Sequence, residues 1–222
     1  MVAVTDDDFE TLADSELSWR KLELHALAKE LESAANRHGK GPMVRALTRG
    51  MATLLYAHWE GYCKAIFEAY LKLILRRKPR VSESADRLVL AHTQQLFRRI
   101  ESGDSAAMEE LISIARGTST QRLRISQDKV VDTKSNLRYQ VLENITSALG
   151  IPIANLITKK NMIDVQLCDT RNEIAHGRAN FPSPQETLEL HRNVLAMMEE
   201  IRDVTIGQVR SKGYRAISPA ST

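Results

Sequence analysis

The chain has 222 residues, of which 43% are hydrophobic and 27% charged, and 31 Lys and Arg against 28 Asp and Glu give a net charge of +3. These values fit one globular domain over residues 1–222 with a substantial core and exclude extensive disorder; the mild charge permits a polyanionic partner without demanding one. Cys63 and Cys168 lie in apolar helical patterns, so they read as small buried hydrophobes of a reducing compartment, which excludes a disulfide framework.

In chain order, the acidic opening "MVAVTDDDFETLADSELSW" lacks the basic and apolar blocks of a signal peptide. A first helix is predicted over residues 7–37, with Leu12, Leu24, Leu27 and Leu31 among its apolar positions. "HGKGP" ends it, with Gly39 and Gly41 as breakers and Pro42 as the start of the next. The second helix, 42–78, is the most apolar segment and is expected to be the central core helix. Gly50 and Gly61 each weaken it or admit a close neighbour. The best candidate for a membrane span, "MATLLYAHWEGYCKAIFEAYLKLIL", is interrupted by His58, Glu60, Lys64, Glu68 and Lys72. A cytoplasmic protein without membrane contact is therefore expected.

From residue 79 to 135 the chain changes character. Amphipathic helices are predicted over 86–101 and 104–116, followed by the polar "GTSTQRLRISQDKVVDTKSN" with short β-leaning pieces. The region reads as a mostly helical insertion or cap. Helix resumes at "NLRYQVLENITSALG", closed by Gly150 and Pro152, and again over 161–176. After "GRANFP", Ser183 is an N-cap, Pro184 takes the first helical position and Glu186 completes a capping box for a last helix to residue 210. The tail, 211–222, is expected to fray. No Asn-Gly or Asp-Gly hairpin signal occurs. The expected fold class is all-α, a bundle of the first two helices with the last two or three.

Three segments place an arginine five positions before a histidine: Arg20/His25 in "RKLELH", Arg87/His92 in "RLVLAH" and Arg171/His176 in "TRNEIAHG". The first lies mid-helix among charges and reads as a solvated face, and the second is read the same way. The third differs. Asn172 follows the arginine and can both donate and accept hydrogen bonds. Gly177, Pro182 and Pro184 put His176 in the last turn of its helix. At about 100° per residue, Asn172 and His176 share a face while Arg171 is turned about 140° from His176. That offset suits a site shared between two copies of the chain. The negative end of the helix dipole at this position attracts an imidazolium. An imidazole beside a permanently charged guanidinium is suited to proton transfer at a phosphate. The structural alternative is that Arg171 pairs with Asp169 or Glu173 and His176 merely caps its helix.

"RNEIAHG" resembles the signature of the HEPN superfamily, all-helical nucleotide-binding and RNA-cleaving domains in which an arginine and a following polar residue precede the histidine. Two further segments carry the likeness. "LLYAHWEGYCKAIFEAYL" is similar to the long second helix of a bacterial HEPN branch found near restriction and other defence genes, and "TKSNLRYQVLENITSALGI" to a recurrent element of that branch.

The resemblance implies a HEPN-like helical bundle that dimerises through the bundle. It implies a metal-independent endoribonuclease, a toxin or defence effector without a cofactor, whose two motifs face each other in a homodimer. Arg171 and His176 become the catalytic pair, Asn172 a supporting polar residue, and Glu60 of "HWEG" a supporting carboxylate. RNA is the implied substrate, cut by 2′-hydroxyl attack to a 2′,3′-cyclic phosphate and a 5′-hydroxyl. An antitoxin or defence-system protein is the implied partner. A neighbouring HEPN toxin group carries a tyrosine two positions after the histidine, modified with nucleotides by its antitoxin. Arg178 stands there in this chain, so that control is not expected. The alternative function is a non-catalytic HEPN-like module that binds a nucleotide or another protein.

Other signals are weaker. No H-E-x-x-H spacing occurs, and no metal site is expected. Basic clusters at "LRRKPR", "QRLR" and "TKK" read first as solvated charge and second as phosphate contacts. An aromatic content of 5% argues against a base-stacking platform. The apolar second helix and Met197–Met198 read as core, with contact between copies as the second reading.

Overall fold

Thr5 starts helix α1 (Asp6–His38): its hydroxyl accepts the Asp8 N–H at 3.1 Å, and the Asp8 carboxylate accepts the Thr5 N–H at 2.9 Å. Two donors that no helical turn can satisfy thereby find partners. The structure, a computed structural model, describes residues 5–216. Helix α2 (Pro42–Arg76) follows with proline in its first turn, where the missing N–H costs nothing. Its buried residues, Met51, Leu55, Trp59, Tyr62 and Phe67 among them, cover most of its circumference. A helix that is apolar nearly all round belongs inside a bundle.

Helix α1 and helix α8 (Pro184–Arg210) pack against α2 and against each other. α1 contributes Phe9, Ala13, Leu17, Leu24, Ala28 and Leu31, and α8 contributes Leu190, Val194, Met198 and Ile201. Burying each large side chain is worth roughly 1.5–3 kcal/mol. The surface ion pairs between α1 and α8, Lys21 with Glu199 and Arg210 with Glu10, add only about 0–1 kcal/mol each. Met197 and Met198 are buried inside this core, so they are not open to a second copy.

Arg20 departs from the solvated reading. Its guanidinium lies 4.3 Å from the Trp19 ring centroid and 5.7 Å from that of Tyr62, and it donates to the Glu16 carbonyl at 2.7 Å. Gly61 makes room: a Cβ there would stand 3.4 Å from Arg20 Nη2. Two ring faces and an ion pair with the Glu16 carboxylate thus hold inward a cation that the local charge pattern placed in water. His25 stays exposed, edge-on to His191 at 5.1 Å.

In the 79–135 region, α3 (Asp86–Glu101) pairs with α4 (Ser105–Ala115) and packs on α6 (Tyr139–Leu149), while α5 (Gln127–Val130) meets α2 and α6. The β-leaning stretch forms no strand among the described residues. An isolated bridge, Arg80 to Arg122, joins the start of this region to its polar stretch, with Val81 N–H to the Gln121 carbonyl and Leu123 N–H to the Pro79 carbonyl, both at 2.9 Å. His92 is not solvated either. It is buried with Nδ1 2.9 Å from the Arg124 carbonyl and Nε2 3.2 Å from Glu110, tying the polar stretch to α3 and α4.

Residues 211–216, expected to fray, turn back onto the bundle. Tyr214 is buried, its carbonyl accepts the Ala85 N–H at 2.9 Å, and Ala216 N–H donates to Glu83 at 3.0 Å. Residues 217–222 of that predicted tail lie outside the described residues. No described helix is long and apolar enough to cross a membrane.

Candidate active site

The sequence predicts one regular helix over 161–176, but the structure winds it in two registers. Met162–Asp169 is a π-helix, and α7 (Thr170–Ala175) continues as an α-helix. In the π register residues five apart lie nearly one above the other. Asp164 and Asp169 therefore face the start of α6 together. Asp164 accepts the Tyr139 N–H at 2.8 Å, Asp169 forms an ion pair with Arg138, and Arg138 also donates to the Asp164 carbonyl at 3.2 Å. Helix α7 ends at His176, followed by Gly177 at φ +71°, a left-handed cap that glycine adopts without strain.

Arg171 is left without a carboxylate. Asp169 is engaged by Arg138, and Glu173 accepts a hydrogen bond from Asn180 Nδ2 at 2.6 Å. No carboxylate among the described residues forms an ion pair with the Arg171 guanidinium. Its Nη1 instead donates to Asn172 Oδ1 at 2.9 Å, and its Cζ sits 4.7 Å from the centroid of the Tyr56 ring. Among the described residues the bond to Asn172 is the one hydrogen bond of a guanidinium that carries five N–H groups. The pairing of Arg171 with Asp169 or Glu173, weighed as the structural alternative, does not occur.

Tyr56 comes from α2 and is buried beneath Arg171. Its hydroxyl accepts the Leu137 N–H at 2.9 Å. Burial pushes the phenol well above its ordinary range, against the pull of the Leu137 hydrogen bond, and the Glu60 carboxylate beside it pushes the same way. Tyr56 is therefore a neutral ring and a fixed acceptor, not a base. Glu60 stands one turn along α2 from Tyr56 and forms no ion pair with Arg171 among the described residues. The Leu137 carbonyl faces the Cys168 thiol at 3.6 Å. Burial pushes that thiol up to about 12, so Cys168 packs and does not react.

His176 is exposed at the end of α7, and its backbone N–H closes the last turn to the Asn172 carbonyl at 3.0 Å. No described side chain bonds its imidazole. The structure thus brings the Arg171 guanidinium against Asn172 and the Tyr56 ring. It leaves His176 on the surface at the same helix terminus.

Sequence reasoning missed Tyr56, Leu137, Arg138 and Asp164, and gave Asp169 the wrong partner: it pairs with Arg138, not Arg171. The one local signal was Tyr56 standing four positions before Glu60 on the same face of α2. Among the described residues, no group of three or more His, Cys, Asp or Glu is placed to hold a metal ion.

Compared with known proteins, the chain matches the HEPN_RiboL-PSP family model, described as RiboL-PSP-HEPN, over residues 15–206. No curated protein and no solved structure matches it.

Proposed function

The chain belongs to the RiboL-PSP-HEPN family, and from that premise we propose that it is a metal-independent endoribonuclease acting as a homodimer. The observation that carries this reading is Arg171, a permanent cation held over a neutral ring with no carboxylate partner among the described residues. A charge kept without a counter-ion at a surface is a ready site for a phosphate. His176, which caps the same short helix, is exposed and carries the imidazole that the reaction needs.

In the proposed reaction the RNA 2′-oxygen attacks the adjacent phosphorus as its proton passes to an imidazole. The P–O5′ bond breaks, and the leaving oxygen takes a proton. Arg171 neutralises the charge that grows on the non-bridging oxygens. The products are a 2′,3′-cyclic phosphate and a 5′-hydroxyl. A single imidazole cannot be base and acid at once, so the second copy of His176 supplies the complementary role. DNA, without a 2′-hydroxyl, is not cut by this route. Biologically, such an activity suits a toxin or defence effector checked by a partner protein.

A non-catalytic module is the second reading, favoured by the exposed His176 ring that no described side chain orients. Total RNA incubated with chelator and with wild type, Arg171→Ala or His176→Ala separates the two. The proposal expects degradation by wild type alone. Equal degradation by His176→Ala, or a requirement for Mg²⁺, contradicts it. Light scattering should give twice the chain mass, and a monomer at every workable concentration contradicts the shared site.

A further inference from the structure

The loop that leaves the motif carries a half-exposed aromatic ring held by two arginines. Phe181 is 55% exposed, and the guanidiniums of Arg45 and Arg49 lie 5.6 and 5.2 Å from its ring centroid. Arg49 Nη1 also donates to the Arg178 carbonyl at 2.8 Å and the Asn180 carbonyl at 2.7 Å. Asn180 in turn donates to Glu173, and Arg178 N–H to the Glu173 carbonyl at 2.9 Å. The ring is therefore fixed to α2 on one side and to the motif helix on the other. Neither Arg45 nor Arg49 pairs with a carboxylate among the described residues.

Phe181 also stands between two cavities. One, of about 410 Å³, is lined in part by Gln166, Thr170, Asn180 and Glu189. Thr170 directly precedes Arg171. The other, of about 280 Å³, is lined in part by Lys40, Arg45 and Thr48. The first cavity thus offers amide, hydroxyl and carboxylate edges, and the second is cationic.

We propose that Phe181 stacks an unpaired base flanking the cut, while Lys40 and Arg45 hold the neighbouring phosphates, so that the substrate is single-stranded RNA. This rests on the ribonuclease reading above. Every base has a π-face, so one aromatic platform serves any sequence, and arginines beside it neutralise the backbone. A duplex keeps its bases stacked on one another and presents none to Phe181. The low aromatic content argued against such a platform, but one ring is enough where only one flanking base must be held.

Binding is measured in the His176→Ala protein, so cleavage plays no part, by fluorescence anisotropy with a short labelled RNA strand and with its duplex. Adding Phe181→Ala is expected to weaken single-strand binding about 5- to 100-fold, with Phe181→Trp retaining it and duplex binding unchanged. Arg45→Ala is expected to lower the slope of affinity against salt. Equal single-strand affinity with and without the ring overturns the proposal. So does light scattering in which Phe181→Ala converts a dimer to a monomer, because the ring then belongs to a contact between copies. Failure of the catalytic assignment would show separately, as equal cleavage by wild type and His176→Ala, and the binding comparison is then read with a 2′-O-methyl strand, whose blocked 2′-oxygen cannot attack.

Discussion

Tyr56 performs two tasks that two substitutions can separate. Its hydroxyl is the acceptor for the buried Leu137 N–H at 2.9 Å, and its ring is the surface on which the Arg171 guanidinium rests at 4.7 Å. Tyr56→Phe removes the acceptor and keeps the ring. Because Leu137 and Tyr56 are both buried, little water can reach the stranded donor, and the cost is about 1–3 kcal/mol of stability. Cleavage should survive, since Arg171 keeps its support. Tyr56→Leu removes the ring as well and forfeits a cation–π contact worth about 0.5–2 kcal/mol. If that contact holds Arg171 in place for the reaction, cleavage falls about 2- to 30-fold under conditions where the variant is folded. Urea unfolding and the RNA cleavage rate, read on the same preparations, give both quantities. A Tyr56→Phe protein as stable as wild type would refute the buried-donor argument. A Tyr56→Leu protein cleaving at the wild-type rate would refute the positioning argument.

Other expectations follow from the bundle itself. Gly50 lies inside α2, and an added Cβ there meets nothing within 4 Å, so Gly50→Ala should raise stability by about 0.5–1 kcal/mol; an unchanged or lower urea midpoint would contradict this. His191 is 5% exposed, and burial first, then His25 and Arg192, lower its imidazole to about 4 from 6.5. The unfolded chain takes up that proton near pH 6.5 and the folded chain only near 4. The stability supplied by neutral His191 is therefore complete above pH 6.5 and is lost as pH falls towards 4, by on the order of 3 kcal/mol. His191→Leu should flatten the urea midpoint across that window, and a slope equal to wild type would count against it. Replacing Arg138 with Met should free Asp169 to approach Arg171, leaving the fold in place and slowing cleavage; an unaltered rate would show that Asp169 has no bearing on the site.

Much of the fold was legible because local chemistry and tertiary packing agree. The Ser183–Glu186 capping box and Pro184 start α8 where the sequence predicted, and the apolar circumference of α2 put it at the centre. The π-helix was not legible, since hydrophobic spacing reports which side of a helix is buried and not which carbonyl each N–H meets. Arg20 and His92 were misread for a related reason: both sit among charges in sequence, yet partners that bury them, Tyr62 of α2 beside Glu16 and Trp19 for one and Arg124 and Glu110 for the other, include residues brought from other elements. At the candidate site, Arg171, Asn172 and His176 stand together in one short stretch and could be singled out. Tyr56, Leu137 and Arg138 reach it from two other segments, and only the packing of α2, with the turn that leads into α6, against the motif segment reveals them. Residues 211–216 were misjudged through Tyr214, whose ring meets Arg77 at the end of α2 and whose carbonyl accepts the Ala85 N–H, both distant in sequence.

The central claim is that Arg171 and His176 act on a phosphodiester through the neighbouring 2′-hydroxyl. An RNA with one mapped cleavage position, synthesised with a single 2′-deoxynucleotide on the 5′ side of that bond, tests it most directly. The account predicts that wild-type protein cuts the all-ribose strand to a 2′,3′-cyclic phosphate and a 5′-hydroxyl and leaves the deoxy-substituted bond intact. Cleavage of the substituted bond, or products ending in a 5′-phosphate, would contradict it.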